Sequence, residues 1–328
     1  MTATEEQAAV PASGRAMSAG RRPLEGRVAL ITGASRGIGA AIARAMSRAG
    51  AAVVLAARDE HALRGLAESI NDDGGRALAV PTDVTDPGSV GRLVEKTVGT
   101  FGRLDAAVNN AAGGGHRPTP MAEVAVAEFD GVLAVSLRGI FLSMKYELPA
   151  LLRGGGGAIV NTASTAALHP VAGLAGYVAA KSAVVGLTRV AALDYAQHGI
   201  RVNAVAPGPI HTEALERAGA TGRERVAEAL PVRRLGRPEE VAEAAVWLCS
   251  PASSFITGAV LPVDGGLLAG MPPFTARADS ASSREGTAGH TATEFALTGM
   301  RTRATPLPGT RPPQQPEETR FTSGGGRR

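Results

Sequence analysis

Between residues 27 and 263 the chain alternates short apolar runs with amphipathic stretches of helical period. The runs RVALIT (27–32), AVVLAA (52–57), RALAVPTD (76–83), LDAAVNN (104–110), GAIVNTAS (157–164), IRVNAVAPG (200–208) and AVLPVDGG (259–266) read as buried strands. Apolar spacing predicts helices near 37–49, 59–73, 87–101, 122–153, 175–198 and 238–250. Strand, helix, strand repeated in this way predicts a parallel sheet covered on both faces, because a parallel connection needs a crossover that a helix supplies. The fold class expected is therefore α/β, a doubly wound parallel sheet flanked by helices in a single domain. Ligands of such sheets bind beyond the carboxyl ends of the strands, so chemistry is sought there.

The first strand ends in TGASRGIG (32–39), whose Gly33, Gly37 and Gly39 lead into the first helix. Glycines let a turn close and let backbone approach a pyrophosphate, whose charge suits the positive end of a helix. Alone, such a turn is equally a tight connection; between a buried strand and a helix it points to a dinucleotide. It is not a P-loop, since no Gly-Lys-Ser/Thr follows. The second strand has Ala57-Arg58 at its tip, where an acid would accept from a ribose 2′-hydroxyl. Arg58 and Arg36 offer two guanidinium forks to a 2′-phosphate, which favours NADP over NAD. The competing reading is that both are surface arginines in a chain that uses arginine throughout. Further along, one of the three tyrosines, Tyr177, precedes one of the three lysines, Lys181, by four places. On a helix the two share a face, so phenol and ammonium can meet.

Taken together, TGASRGIG (32–39), TDV (82–84), VNNAAG (108–113), GAIVNTAS (157–164), YVAAK (177–181), RVNAVAPGPIHT (201–212) and ITGAVLPVDGG (256–266) resemble the short-chain dehydrogenase/reductase family. The resemblance covers about residues 24–270, with the motifs in the family's order, and implies a Rossmann-type domain that transfers a hydride between NAD(P) and a carbonyl or secondary alcohol. It implies Tyr177 as general acid/base, Lys181 as the group that holds the nicotinamide ribose and lowers the phenol's pKa, and Ser164 as the holder of the substrate oxygen. For the cofactor it implies Gly33, Ser35, Arg36, Gly37, Ile38 and Gly39 in the turn, Arg58, Asp83 and Val84 beyond the next strands, and Asn109 on the adenosine side. Tyr177, Lys181, Pro207, Gly208, Ile210 and Thr212 would complete the nicotinamide end. Asn110 and Asn161 are expected to be structural, and residues 212–235 to form a lid. One departure stands out: Ser136 occupies a place where the family commonly has an asparagine credited with a helix irregularity and a proton-relaying water. Ser136 is thus a catalytic candidate, and a catalytically silent NADP(H)-binding protein is the alternative function.

Composition changes this picture little. The net charge of +4 resides in the ends: eight arginines against five acids in 271–328, and three against two in 1–22. Residues 1–23 and 271–328 lack large periodic apolar residues and are expected to be disordered extensions flanking a 24–270 domain. The high pI is therefore weak support for nucleic-acid binding, and none is expected. The single cysteine, Cys249, sits in apolar AAVWLCS, which predicts a core residue and a reducing, cytoplasmic location. No run is long enough to span a membrane, and the scattered histidines predict no metal. The long helices around 122–153 and 175–198 carry excess apolar surface, which predicts a homo-oligomer; the family resemblance implies a tetramer. The substrate is expected to be a small carbonyl or alcohol, in a pocket lined by the segment after Gly113, TAALHP (165–170) and the lid, with His116, Arg117 and His169 as its polar exceptions.

Overall fold

The computed structural model describes residues 22–113, 117–216 and 219–270, all within one compact unit, Met1–Pro273. The extensions up to residue 21 and from 271 onward, and His116, lie outside the described residues. Seven strands form one parallel sheet: β1 (Val28–Thr32), β2 (Ala52–Ala57), β3 (Arg76–Pro81), β4 (Ala106–Asn109), β5 (Gly157–Thr162), β6 (Ile200–Pro207) and β7 (Val260–Val263). Their order, β3-β2-β1-β4-β5-β6-β7, reverses direction between β1 and β4. That switch point leaves a crevice above the strand ends.

Period-two alternation divides the sheet between two cores. Ala29, Ile31, Val53 and Leu55 pack with α1 (Gly37–Arg48), α2 (Glu60–Asp72) and α9 (Pro238–Cys249). Leu30, Val54 and Ala56 face α3 (Pro87–Phe101), α5 (Gly139–Arg153) and α6 (Ala175–Tyr195). Cys249 belongs to the first core, and burial pushes its thiol up to about 12, so it is a packing residue and not a nucleophile. The strands RALAVPTD and AVLPVDGG, expected to be buried, are half-exposed because β3 and β7 are the two edges.

Local signals fix the helix ends. Asp59 accepts from the Ala62 amide at the start of α2, and Asp86 accepts from the amides of Gly88 and Ser89 at the start of α3. Gly102 ends α3 in the left-handed region, at φ 79°. The helix predicted over 122–153 is interrupted: α4 (Val126–Leu133) passes into a π turn, Ala134–Arg138, before α5 begins. Hydrophobic spacing conceals one extra residue in a turn, and such insertions mark functional places. Within the expected lid lie two short helices, α7 (Glu213–Glu216) and α8 (Gly219–Ala229).

Candidate active site

The glycine turn is built by close approach. Gly33 has φ +66°, and a Cβ there would stand 2.8 Å from the Ala111 Cα; one on Gly39 would stand 2.1 Å from the Gly33 carbonyl oxygen. Thr32 Oγ1 accepts from the amides of Asn110 and Ala111, both at 3.1 Å, and Asn110 Nδ2 donates to the Thr32 and Gly33 carbonyls. These bonds follow from the register, which sets Thr32 beside Asn109 at the tips of β1 and β4. The first turn of α1 has no side-chain cap, since Arg36 precedes it and offers no acceptor. Its amide groups are thus available to an anion.

Over this turn lies a cavity of about 460 Å³ lined by Ser35, Arg36, Ile38, Arg58, Asp83 and Thr212, among others. Asp83 accepts from the Thr85 amide at 2.9 Å and its hydroxyl at 2.8 Å. Those two bonds, and less strongly the nearby Arg58 guanidinium, hold its carboxyl below the usual range. Val84 is buried, with its side chain against Gly139, and also borders the cavity. A cleft with a glycine cradle, uncapped helix amides and an anchored carboxylate fits a dinucleotide.

Asn109 has a fully buried side chain, which turns beneath the sheet and donates to Glu147 and Asn161. Asn110, Ala111, Ala112 and Val135 border the cavity, and Thr32 anchors their loop. Thr32 stands inside the motif TGASRGIG and Asn110 inside VNNAAG, but which of two adjacent asparagines faces the cleft depends on strand orientation. Ile210 is buried and bridges Gly236, where a Cβ on the glycine would meet its Cδ1 at 2.6 Å. Thr212 is the residue of that turn that reaches the cavity. Gly208 packs against Asp264, where a Cβ on the glycine would stand 2.8 Å from the Asp264 Cα, and the Pro207 carbonyl accepts from Thr165 Oγ1.

The three hydroxyl and amine candidates converge at the end of β5. Ser164 leaves the strand with extended backbone, and its Oγ accepts from the Ala166 amide at 3.1 Å. Its hydroxyl neighbours that of Tyr177, which lies on the first turn of α6. One turn later Lys181, 1% exposed, donates from Nζ to the Thr162 carbonyl at 2.6 Å. Nζ lies 6.0 Å from the centre of the Tyr177 ring. Burial lowers the Lys181 pKa to about 8. Burial raises that of Tyr177, opposed by the neighbouring Ser164 hydroxyl. Ser136 sits in the π turn, 1% exposed, its Oγ donating to the Gly113 carbonyl at 3.3 Å. Leu168, His169 and Arg117 are exposed.

The sequence profile of a family described as enoyl-(acyl carrier protein) reductase matches residues 33–268. A gamma-butyrolactone 1′-reductase of the A-factor type, 1S-forming, from Streptomyces virginiae is 45% identical over 247 residues, covering 74% of this chain and 96% of that one. The chain belongs to the short-chain dehydrogenase/reductase family. A cis-4-hydroxycyclohexanecarboxylate dehydrogenase from Sinomonas cyclohexanicum is 46% identical, covering 74% of this chain and 97% of its own. Among solved structures, a 7α-hydroxysteroid dehydrogenase complexed with NADH and 7-oxo glycochenodeoxycholic acid superposes with a TM-score of 0.72 at 35% identity, covering 75% and 96% of the two chains. This short-chain dehydrogenase/reductase is accordingly an oxidoreductase of a family that binds NAD or NADP and acts on alcohol or carbonyl groups. None of its described helices is long and apolar enough to cross a membrane.

Proposed function

We propose that the enzyme reduces the ketone of a small organic substrate with NADPH, or runs the reverse oxidation, with Tyr177 as general acid/base. The observation that carries this reading is the convergence of Ser164, at the end of β5, with Tyr177, one helical turn before the buried Lys181 that donates to the Thr162 carbonyl. Ser164 Oγ donates to the substrate oxygen and fixes its position; the Tyr177 hydroxyl delivers the proton that turns the carbonyl oxygen into an alcohol. Bound NADP(H) supplies or accepts the hydride. The Lys181 ammonium, held by the Thr162 carbonyl, stabilises the phenolate left behind. Gly33, Ser35, Gly37, Ile38 and Gly39 would carry the pyrophosphate end, Asp83 and Val84 the adenine, Pro207, Gly208 and Thr212 the nicotinamide, and Arg36 with Arg58 the 2′-phosphate.

Phe141 and Leu152 on α5 and Val190 and Leu193 on α6 are exposed, Leu193 at 81%, which supports a homo-oligomer, proposed as a tetramer, across these helices. A sedimentation mass of one chain would overturn that. The buried single cysteine supports the proposed cytoplasmic setting. The function is tested by following NADPH and NADH oxidation over a broad panel of ketones with the wild type and Tyr177→Phe. Tight cofactor binding without turnover on any ketone, unaltered by the substitution, would instead favour the silent nucleotide-binding protein.

A further inference from the structure

Arg36 lies on the rim of the dinucleotide cavity, and its Nη1 stands 3.3 Å from Glu213 Oε2. Glu213 opens α7, directly after Thr212, the residue that borders the same cavity. The pair therefore joins the glycine turn to the first residue of α7. A second carboxylate, Asp83, acts on the other arginine of the cavity, Arg58. With Asp59 also on the wall, the two arginines face as many acids even before Glu213 is included, so this end of the cavity has no net positive charge.

Resting on the NADP reading above, we propose that Glu213 is a specificity-determining residue: its carboxylate competes with the cofactor's 2′-phosphate for Arg36. A 2′-phosphate dianion and a carboxylate seek the same guanidinium edge, and the phosphate offers more charge and more acceptors. Arg36 and Glu213 are 67% and 59% exposed, so their attraction is screened and can be displaced by the stronger anion. An NAD ribose leaves the pair intact. Binding of NADP thus releases the start of α7, whereas NAD binding does not, and Glu213 narrows the preference for NADP that Arg36 and Arg58 would otherwise give.

Equilibrium binding of adenosine 2′,5′-bisphosphate and of adenosine 5′-monophosphate to the full chain, by calorimetry, tests this without turnover. Glu213→Gln is expected to tighten the bisphosphate by roughly three- to fivefold, the size of one exposed ion pair, and to leave the monophosphate unchanged. The gain should vanish in an Arg36→Ala background, where the bisphosphate binds more weakly throughout. Equal tightening of both nucleotides, or no change while Arg36→Ala still weakens the bisphosphate, overturns the competition alone. Equal affinity of the wild type for both nucleotides, unaltered by Arg36→Ala and by Arg58→Ala, overturns the NADP reading and the role of Glu213 with it.

Discussion

Asn109 Nδ2 donates to Glu147 Oε2 across 3.0 Å, joining the tip of β4 to the buried face of α5. The same amide donates to Asn161 Oδ1, and Asn161 in turn donates to Thr188 Oγ1 on α6. A polar row thus ties four elements, β4, α5, β5 and α6, together beneath the floor of the active site. Glu147 is 1% exposed, and burial pushes its carboxyl up to about 7, with the Asn109 bond opposing.

A stability change with pH follows. The folded state keeps the Glu147 proton up to about 7, while the unfolded chain releases it near the ordinary glutamate value of 4.5. Between these values the folded state binds more protons, so stability falls as pH rises, by about 3 kcal/mol in all, and is level again above the window. Glu147→Gln should be more stable than the wild type at pH 8 and close to it at pH 4. Denaturant midpoints measured at both values check this; parallel curves for the two proteins would remove Glu147 from the account.

Loss of the phenol hydroxyl should separate binding from chemistry. Tyr177→Phe is expected to lower kcat by roughly 10²- to 10⁴-fold, the usual worth of a positioned general acid, with the NADPH dissociation constant unchanged. Ser164→Ala should lower kcat in the same direction, since its hydroxyl holds the oxygen that Tyr177 protonates. Parallel loss of cofactor binding in either variant would point to a folding defect instead.

The depressed pKa of Lys181 gives a rate signature. Below about 8 the amine is an ammonium, and above it the charge is lost. Carbonyl reduction should therefore decline as pH rises through that value. Lys181→Arg keeps its charge to much higher pH, so its lower activity should not show the decline. A wild-type rate for reduction that keeps rising well beyond that pKa would contradict this.

Two glycine replacements should act in opposite directions. Gly39→Ala forces a methyl to within 2.1 Å of the Gly33 carbonyl oxygen and is expected to destabilise by about 1–3 kcal/mol while weakening nucleotide binding. Gly65→Ala lies in α2 with nothing within 4 Å and should stabilise by about 0.5–1 kcal/mol. Thermal melts of the two variants check both signs.

Ser136 fills the π turn with a hydroxyl spent on the Gly113 carbonyl. Ser136→Asn, which restores a longer amide, should raise kcat wherever proton resupply limits turnover and reduce the solvent isotope effect. Rates indistinguishable from wild type across pH would show that the position does not limit the reaction.

Strand count, parallel order and the place of the ligand cleft were legible in the sequence, because buried runs alternating with amphipathic stretches admit few packings. The pairing of Tyr177 with Lys181 was legible for a related reason, a fixed spacing on one helix, whereas Ser164, on a different element, was implied only by the family resemblance. What lies between neighbours in space was not. Two adjacent asparagines, Asn109 and Asn110, carry identical side chains, and only the pleat of β4 sends one beneath the sheet to Glu147 and the other toward Thr32 and the glycine turn. The extra residue of the π turn leaves the apolar pattern intact, so a single helix is the natural reading until Ser136 is seen facing Gly113. Likewise Arg36 and Glu213 stand far apart in the chain, and their ion pair exists only because the β6 turn returns to the crevice that β1 opens. Local propensity and periodicity act within a few residues, whereas long-range pairing and side-chain direction at the cleft are set by packing, which is where the tertiary structure decides.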